Sequence, residues 1–525
     1  MNEKQMHKLT FGQNLAAATA LGAICSFGLV PYDQWWLLFI AVPTAIFGLK
    51  GLLHNNIRRI FMAGWCFGFG YFIFAMHWIG YAFFVNAAND LWMMPIALGG
   101  LSAFLALYWA VATVIAAWMA RRGHPLWLSV PVAFAAMEWL RGHLFTGFPW
   151  SVFGQMVDGM WGVEQAAAFV GMTGLTFLIW VWAASAYGIW VERGLLRWCC
   201  VILLLTFPAT LFMGRWRLAT HPTVYVPGIM LRLVQPNINQ NEKWREGNAR
   251  KIFDQLLSLT AAPSSTGLPV THIIWPESSV PFLIDESVQG RAEIARALNP
   301  GQTLLAGAVR RAAPRDDAAY FTSILVFDSN ATVLNHYDKW KLVPGGEFLP
   351  LAWLLEPLGL RKLAALPESF TAGVGATTMP VPGAGNAGFS ICYEAIFPGA
   401  VASATVEPDW LINVTNDGWF GNSSGPWQHL AQMRLRAIET EAPAARVANT
   451  GISAIIDAYG REVFTSQPNI AGAFDVMLPQ RGTNLVKAQW FDFSLLGLLL
   501  CGIVLGEIVK RRYITISNQT PGGLD

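Results

Sequence analysis

The stretch 388-GFSICYEAIFPG-399 decides how this chain is read. Its first part, GFSI, is an apolar run of strand character that stops at Cys392. The following YEAI starts like a helix and is closed by Pro398 and Gly399. A cysteine at such a junction stands where a nucleophile gains exposure and where backbone N–H groups are available to an oxyanion. A small buried packing residue would suit the same place, and the local sequence leaves both readings open.

Outward from Cys392, short β-rich runs recur: IMLRLVQ (229–235), THIIWPE (271–277), TSILVFD (322–328) and DWLINVTND (409–417). They alternate with helix-like stretches, NARKIFDQLLSL (248–259) and QHLAQMRLRAIETEAPAARVA (428–448). Strands alternating with helices predict an α/β domain, which we place at residues 216–490. It is long enough to bury its own core. Its 21 basic and 23 acidic residues are those of an ordinary globular surface.

The rest of the chain is different. Of the 525 residues 54% are apolar and 13% charged, with a mean hydropathy of +0.40, where soluble domains carry about 25% charged residues. Residues 1–215 hold seven acidic side chains (Glu3, Asp33, Asp90, Glu138, Asp158, Glu164 and Glu192). A run of about 20 apolar residues spans a bilayer as a helix. That rule predicts a polytopic helical membrane domain over 1–215 with seven spans, near 12–30, 34–49, 60–84, 91–119, 125–140, 163–191 and 195–213. An eighth span, FSLLGLLLCGIVLGEIV (493–509), lies within a C-terminal transmembrane segment at 491–512, and 513–525 read as a flexible tail.

Short cytoplasmic loops collect Lys and Arg. Lys4 and Lys8, then Lys50, Arg58 and Arg59, then Arg121 and Arg122, then Arg193 and Arg197 fall in alternate loops. Both termini and the tail are then cytoplasmic, and 216–490 lie outside the cytoplasm. The basic start MNEKQMHK precedes an apolar run with no A-x-A site, so the first segment reads as a span and not as a cleaved signal peptide. The formal charge of +2 is too balanced for nucleic-acid binding. With no metal-ligand spacing, phosphate loop or dinucleotide fingerprint, no metal and no cofactor are predicted.

Five cysteines (Cys25, Cys66, Cys199, Cys200 and Cys501) sit in or beside the apolar spans; Cys392 alone lies in the α/β region. In an oxidising compartment a lone thiol is an idle liability or a working group. It needs a base; no histidine is near it in sequence, and His272, His336 and His429 show no family-typical Cys/His signature. Glu277, just past an apolar strand in THIIWPESSVPF, could take the thiol proton. Lys339, past the hairpin turn DSNA in NHYDKWKLVP, could stabilise thiolate and oxyanion. A helix-capping carboxylate and a solvated strand end are the competing readings of these two residues.

Glu277 in WPES, Lys339 in YDKWKLVPGGEFLP and Cys392 in ICYE resemble the Glu-Lys-Cys triad of the nitrilase, or carbon–nitrogen hydrolase, superfamily. Set among the apolar segments, and with QPNINQNEKW, VTNDGWFG, AARVANTGISA and EWLRGHLFTGFPW alongside, the chain resembles the apolipoprotein N-acyltransferases over essentially its whole length. The resemblance implies an α-β-β-α sandwich and a ping-pong acyl transfer at the bacterial inner membrane, with the catalytic domain periplasmic. The donor would be the sn-1 chain of a phospholipid, typically phosphatidylethanolamine. A Cys392 thioester would carry it to the α-amine of a diacylglyceryl-modified apolipoprotein cysteine.

It also implies supporting roles. Glu347 and Glu394 would orient Lys339 and line the site, Tyr393 would position the ester or the amine, and Trp244 would stand on an arm at the mouth. One departure is visible: Gly345 occupies a position in LVPGGEF where the family usually has an aromatic, which would loosen the loop carrying Glu347. Glu138 and Arg141, three apart on one helix face, would form either an architectural pair or a headgroup site. The rival functions are a membrane-tethered amidase using water as second nucleophile, and a transport or lipid-binding protein with an inactive α/β domain.

Overall fold

A computed structural model describes residues 10–518, except 161, 244, 246, 314–318, 361, 364–369, 404 and 484–490. The chain divides into two units. One comprises Met1–His77, Pro95–Ala219 and Trp490–Asp525; the other comprises Trp78–Met94 and Thr220–Gln489.

The first unit is helical. Helices α1 (Phe11–Ser26), α2 (Leu38–Leu52), α3 (Ile57–Ala75), α4 (Met94–Arg121), α5 (Leu126–His143), α6 (Ala167–Val191), α7 (Gly194–Thr220) and a C-terminal helix, Phe491–Asn518, follow the eight apolar runs in turn. Length and apolarity support fewer crossings than the eight expected. Among the described residues Trp35–Leu52, Ala87–Arg121, Val163–Val191 and Gly194–Thr220 qualify, with Ile57–Ala75 plus His77–Phe84 as a fifth if that bent pair is one span.

The shortfall has physical causes. The 16 residues of α1 rise about 1.5 Å each, short of a hydrocarbon core of about 30 Å. Helix α5 carries Glu138, Arg141 and His143. The C-terminal helix is apolar only over Ser494–Val509. That helix also runs to Asn518, past the start expected for the tail, and 519–525 lie outside the described residues.

Glu138 and Arg141 are both buried and paired. Glu138 also accepts from Trp109 Nε1, and Arg141 donates to the carbonyls of Phe148 and Trp150. The pair thus ties the FTGFPW loop to α5, the architectural alternative.

The second unit holds two six-stranded sheets. The first has the order β12-β1-β2-β3-β4-β5, with β1 Tyr225–Gln235, β2 His272–Trp275, β3 Thr303–Arg311, β4 Tyr320–Phe327, β5 Val333–Asp338 and β12 Gly472–Pro479. The second has the order β11-β10-β9-β8-β7-β6, with β6 Thr377–Val381, β7 Gly385–Ile391, β8 Trp410–Thr415, β9 Ala444–Ala448, β10 Ala454–Ile456 and β11 Glu462–Thr465.

Alternation along the strands explains the layering, since successive side chains point to opposite faces. Leu231, Leu233, Ile274, Leu305 and Ile324 of one sheet share a core with Phe389, Ile391, Ile412, Val414 and Val447 of the other. The outer face of the first sheet (Val234, Ile273, Leu304) packs on α8 (Asn248–Thr260) and α9 (Val288–Ala297) through Phe253, Leu256 and Ile294. The outer face of the second (Leu411, Ala444, Ala454) packs on α10 (Gly425–Thr440) through Leu430, Met433 and Ala437. Two sheets between two helical layers make the expected α-β-β-α sandwich. Each buried Leu, Ile or Phe adds about 1.5–3 kcal/mol of apolar transfer.

Residues 78–84 and 91–94 were expected at the ends of two apolar spans, yet 78–94 group with this sandwich. Trp78 Nε1 donates to Gln428 Oε1 on α10 at 3.2 Å, and its ring meets Phe420 edge-on at 4.6 Å. An indole satisfied in both its apolar and its polar parts holds the segment there.

Candidate active site

The sandwich brings together residues far apart in sequence. Strands β1, β2 and β3 run parallel, as do β7, β8 and β9, and side chains for chemistry collect past the carboxyl ends of such strands. Glu277 follows β2, Lys339 follows β5 and Cys392 follows β7.

Close packing sets Glu277. Gly307 on β3 approaches it so nearly that a Cβ there would lie 2.2 Å from the Pro276 carbonyl oxygen. Ser279 N also donates to Gly307 O at 2.8 Å. Glu277 Oε1 then lies 3.1 Å from Lys339 Nζ, and its Oε2 accepts from Asn416 N at 2.9 Å.

Lys339 is 1% exposed and also meets Glu347 Oε1 at 2.8 Å. One ammonium therefore faces two carboxylates in a desolvated setting. Burial pulls the Lys339 ammonium down, but Glu277, Glu347 and Cys392 outweigh it and hold it well above the ordinary lysine range. It is charged at any physiological pH. Burial pushes the Glu347 carboxyl up, against the pull of Lys339.

The loop carrying Glu347 is tied in place despite Gly345. Val343 N donates to Glu347 Oε2 at 2.8 Å, Glu347 N to Val343 O at 2.9 Å and Gly345 N to Phe348 O at 2.7 Å. Gly345 has φ +77°, a left-handed conformation in which glycine carries no Cβ penalty.

Cys392 has φ +48°, uncommon for a residue with a side chain. The chain turns there from β7 into the short helix Cys392–Ile396. Burial and Glu277 push its thiol up, while Lys339 pulls it back. The resting group is a thiol.

Glu394 underpins the turn. Its Oε2 accepts from Ile391 N at 2.7 Å and from the Tyr337 hydroxyl at 2.8 Å, and its Oε1 accepts from Trp340 N at 2.7 Å and Lys341 N at 3.2 Å. One carboxylate thus clamps the Cys392 elbow to the Lys339 segment. Tyr393 is buried against Phe397, with ring centroids 5.1 Å apart. Trp244 lies outside the described residues.

Comparison with known proteins places this arrangement. The family model for the carbon–nitrogen hydrolase domain matches residues 230–473, and that for the apolipoprotein N-acyltransferase N-terminal domain matches residues 21–185. The apolipoprotein N-acyltransferase of Rhodopseudomonas palustris is 39% identical over 96% of both chains, and that of Bradyrhizobium diazoefficiens is 38% identical over the same shares. The chain belongs to the apolipoprotein N-acyltransferase family. Among solved structures, Nit3 of Saccharomyces cerevisiae, a nitrilase-superfamily member, aligns with 48% of this chain and 90% of its own, at 14% identity and a TM-score of 0.36.

Several buried polar residues at this family member's site were not singled out from sequence. Thr415, Asn416 and Asp417 follow from β8, His429 comes from α10 and Arg446 from β9. Lys243 is 2% exposed and lowered to about 8 by burial, against the pull of Glu277. All but His429 lie in QPNINQNEKW, VTNDGWFG and AARVANTGISA, where polar residues in or just past apolar strands, as at Thr415–Asp417 and Arg446, were the available signal.

Glu394 gives a first expected outcome. Burial pushes its carboxyl up to about 7 despite the backbone donors of Ile391 and Trp340. Above its unfolded value the folded protein holds that proton more tightly, so the group's contribution is fully present at low pH and is lost as pH rises through about 7. In Glu394→Gln an amide nitrogen must face donors, at a cost of about 1–3 kcal/mol. Unfolding measured at pH 5 and pH 8 should show lower stability for the variant and a smaller difference between the two pH values.

Proposed function

We propose that this enzyme moves an acyl chain from the sn-1 position of a phospholipid to the N-terminal amine of the S-diacylglyceryl-cysteine of apolipoproteins. The observation that carries this reading is a charged, buried Lys339 between Glu277 and Glu347, beside a strained cysteine elbow, in a chain that also has membrane-length apolar helices.

Glu277 accepts the Cys392 proton as sulfur attacks the ester carbonyl. Lys339 and a backbone N–H bear the oxyanion charge. Collapse expels the lysophospholipid alkoxide, which takes the proton back from Glu277, and leaves a thioester. In the second half the α-amine attacks that thioester, Glu277 takes the amine proton and passes it to the departing sulfur, and an amide remains. Glu347 holds Lys339, Glu394 holds the elbow, Tyr393 orients the entering group, and Trp244 serves the mouth.

The same reading takes all eight apolar helices as membrane elements of the bacterial inner membrane. Residues 216–490 are then periplasmic, 491–512 the last crossing and both termini cytoplasmic, and phosphatidylethanolamine is the donor. Support comes from the alternation of basic loops and from the chemistry, since both substrates are lipid-anchored.

The test is to incubate the purified protein with phospholipid labelled in its sn-1 chain. Label should appear on the protein, be released by hydroxylamine and pass to a diacylated lipopeptide. Label that only water discharges would favour a hydrolase instead.

A further inference from the structure

Strand β8 lies beside β7 with Ile391 opposite Val414, and this register carries Thr415 to the flank of Cys392. The Thr415 hydroxyl donates its hydrogen to Asp417 Oδ1 at 3.0 Å, and Thr415 pulls against the burial that raises the Cys392 thiol.

On the main-chain side, His429 Nε2 lies 2.9 Å from the Cys392 carbonyl oxygen. A carbonyl only accepts, so Nε2 carries the hydrogen. His429 Nδ1, left without a hydrogen, accepts from Arg446 Nη2 at 3.2 Å, with Asp417 Oδ1 3.0 Å away. Arg446 in turn donates from Nη2 to Asp417 Oδ2 at 2.6 Å and from Nη1 to Asn413 Oδ1 at 2.7 Å. One carboxylate, neutralised by one guanidinium, thus stands behind both the side chain and the main chain of Cys392.

Thr415, Asp417, His429 and Arg446 are each no more than 1% exposed. Desolvating so many polar groups is costly, and none of them has a part in the proton and acyl transfers assigned above. What they share is Cys392, whose left-handed φ of +48° persists only when its surroundings over-determine it.

We propose that Asp417, paired with Arg446, is a positioning residue that acts through two arms, Thr415 beside the thiol and, through Arg446, His429 on the carbonyl, to hold Cys392 in the conformation that aims its sulfur at the acyl donor. The proposal rests on Cys392 being the nucleophile.

The experiment is single-turnover acylation of the full chain by sn-1-labelled phospholipid. Misplacing a reacting atom by about 1 Å costs on the order of 100-fold. Thr415→Val and His429→Ala should therefore slow acylation by roughly 10–100-fold while the phospholipid concentration giving half-maximal rate stays put. Thr415→Ser restores the hydroxyl and His429→Gln restores an N–H at the Nε2 position, and each should recover most of the rate.

Thr415→Val acylating at the wild-type rate would overturn the thiol arm. His429→Gln no faster than His429→Ala would assign His429 to packing and overturn the other. Thr415→Val and Thr415→Ser are both close in size to threonine, so their comparison stands even if His429→Ala does not fold. Labelling that survives in Cys392→Ala would instead sink the nucleophile assignment itself, a separate result.

Discussion

Cys392→Ala is expected to form no acyl-enzyme and to lose at least about 1,000-fold in lipopeptide acylation, the scale on which removal of a covalent nucleophile acts. The size of the effect follows from the surroundings of the thiol. It is 8% exposed, buried against Glu277 and Lys339, so a substrate amine or water that takes its place inherits the oxyanion donors but no sulfur to attack. Cys392→Ser keeps the volume and a hydrogen-bonding group, yet a hydroxyl is a far weaker nucleophile than a thiol with the same base. It should fall between the alanine variant and wild type.

The other five cysteines provide the internal control. Cys25 and Cys200 are buried, Cys66 and Cys199 partly buried and Cys501 exposed, all in the helical unit. Hydroxylamine-labile label that persists undiminished in Cys392→Ala would have to sit on one of them, and would overturn the assignment.

What could be read from sequence had a local signature. A strand that stops at Cys392, a strand that stops before Glu277 and a hairpin that ends at Lys339 are each visible in a few residues, and their resemblance to a known triad added order and spacing. Non-local features were hidden. Thr415 meets Cys392 because β8 pairs with β7 in one particular register, and a slip of a single residue would turn Thr415 to the opposite face. His429 reaches the Cys392 carbonyl from a helix 37 residues further on, a distance no periodicity encodes.

Residues 78–84 read as the end of an apolar span by composition, but hydropathy does not distinguish lipid contact from packing of Trp78 on Phe420. The expected eight exceed the four or five described helices that are long and apolar enough to cross for a related reason. Apolar runs register as membrane candidates whether or not the helix they form is long enough, and α1 and the apolar part of the C-terminal helix are not. Glu138 and Arg141 were legible as a helical pair, but the carbonyls of Phe148 and Trp150 that complete their partners lie beyond the helix.

Lys339→Met should reduce turnover by about 100- to 1,000-fold, as expected for loss of an oxyanion donor in a desolvated site, and it should also change how stability depends on pH. The two effects share one cause. In the wild type the Lys339 ammonium lies 3.1 Å from Glu277 and 2.8 Å from Glu347, and breaking a buried ion pair by removing one partner costs about 3–5 kcal/mol. Once the ammonium is gone, the two buried carboxylates lose the charge held between them, and like charges at short range retain a proton.

That retained proton would disable the base as well as the oxyanion donor. Because the folded variant would bind it more tightly than the unfolded chain, its stability must be greatest at low pH and decline as pH rises toward neutrality. The wild type carries no such slope from Lys339. Its ammonium is held well above the ordinary lysine range, so its contribution is fully present below about pH 10 and is lost only at higher pH. Unfolding of Lys339→Met at pH 5 and pH 8 measures the difference. Adding Glu347→Gln removes one of the two carboxylates and should restore most of the stability at pH 8 without restoring activity, because stability needs only charge balance whereas the reaction needs the ammonium itself. A Lys339→Met enzyme whose stability changes between pH 5 and pH 8 no more than the wild type's, or a double variant that regains activity, would mean that Lys339 does not hold these two carboxylates in the working enzyme.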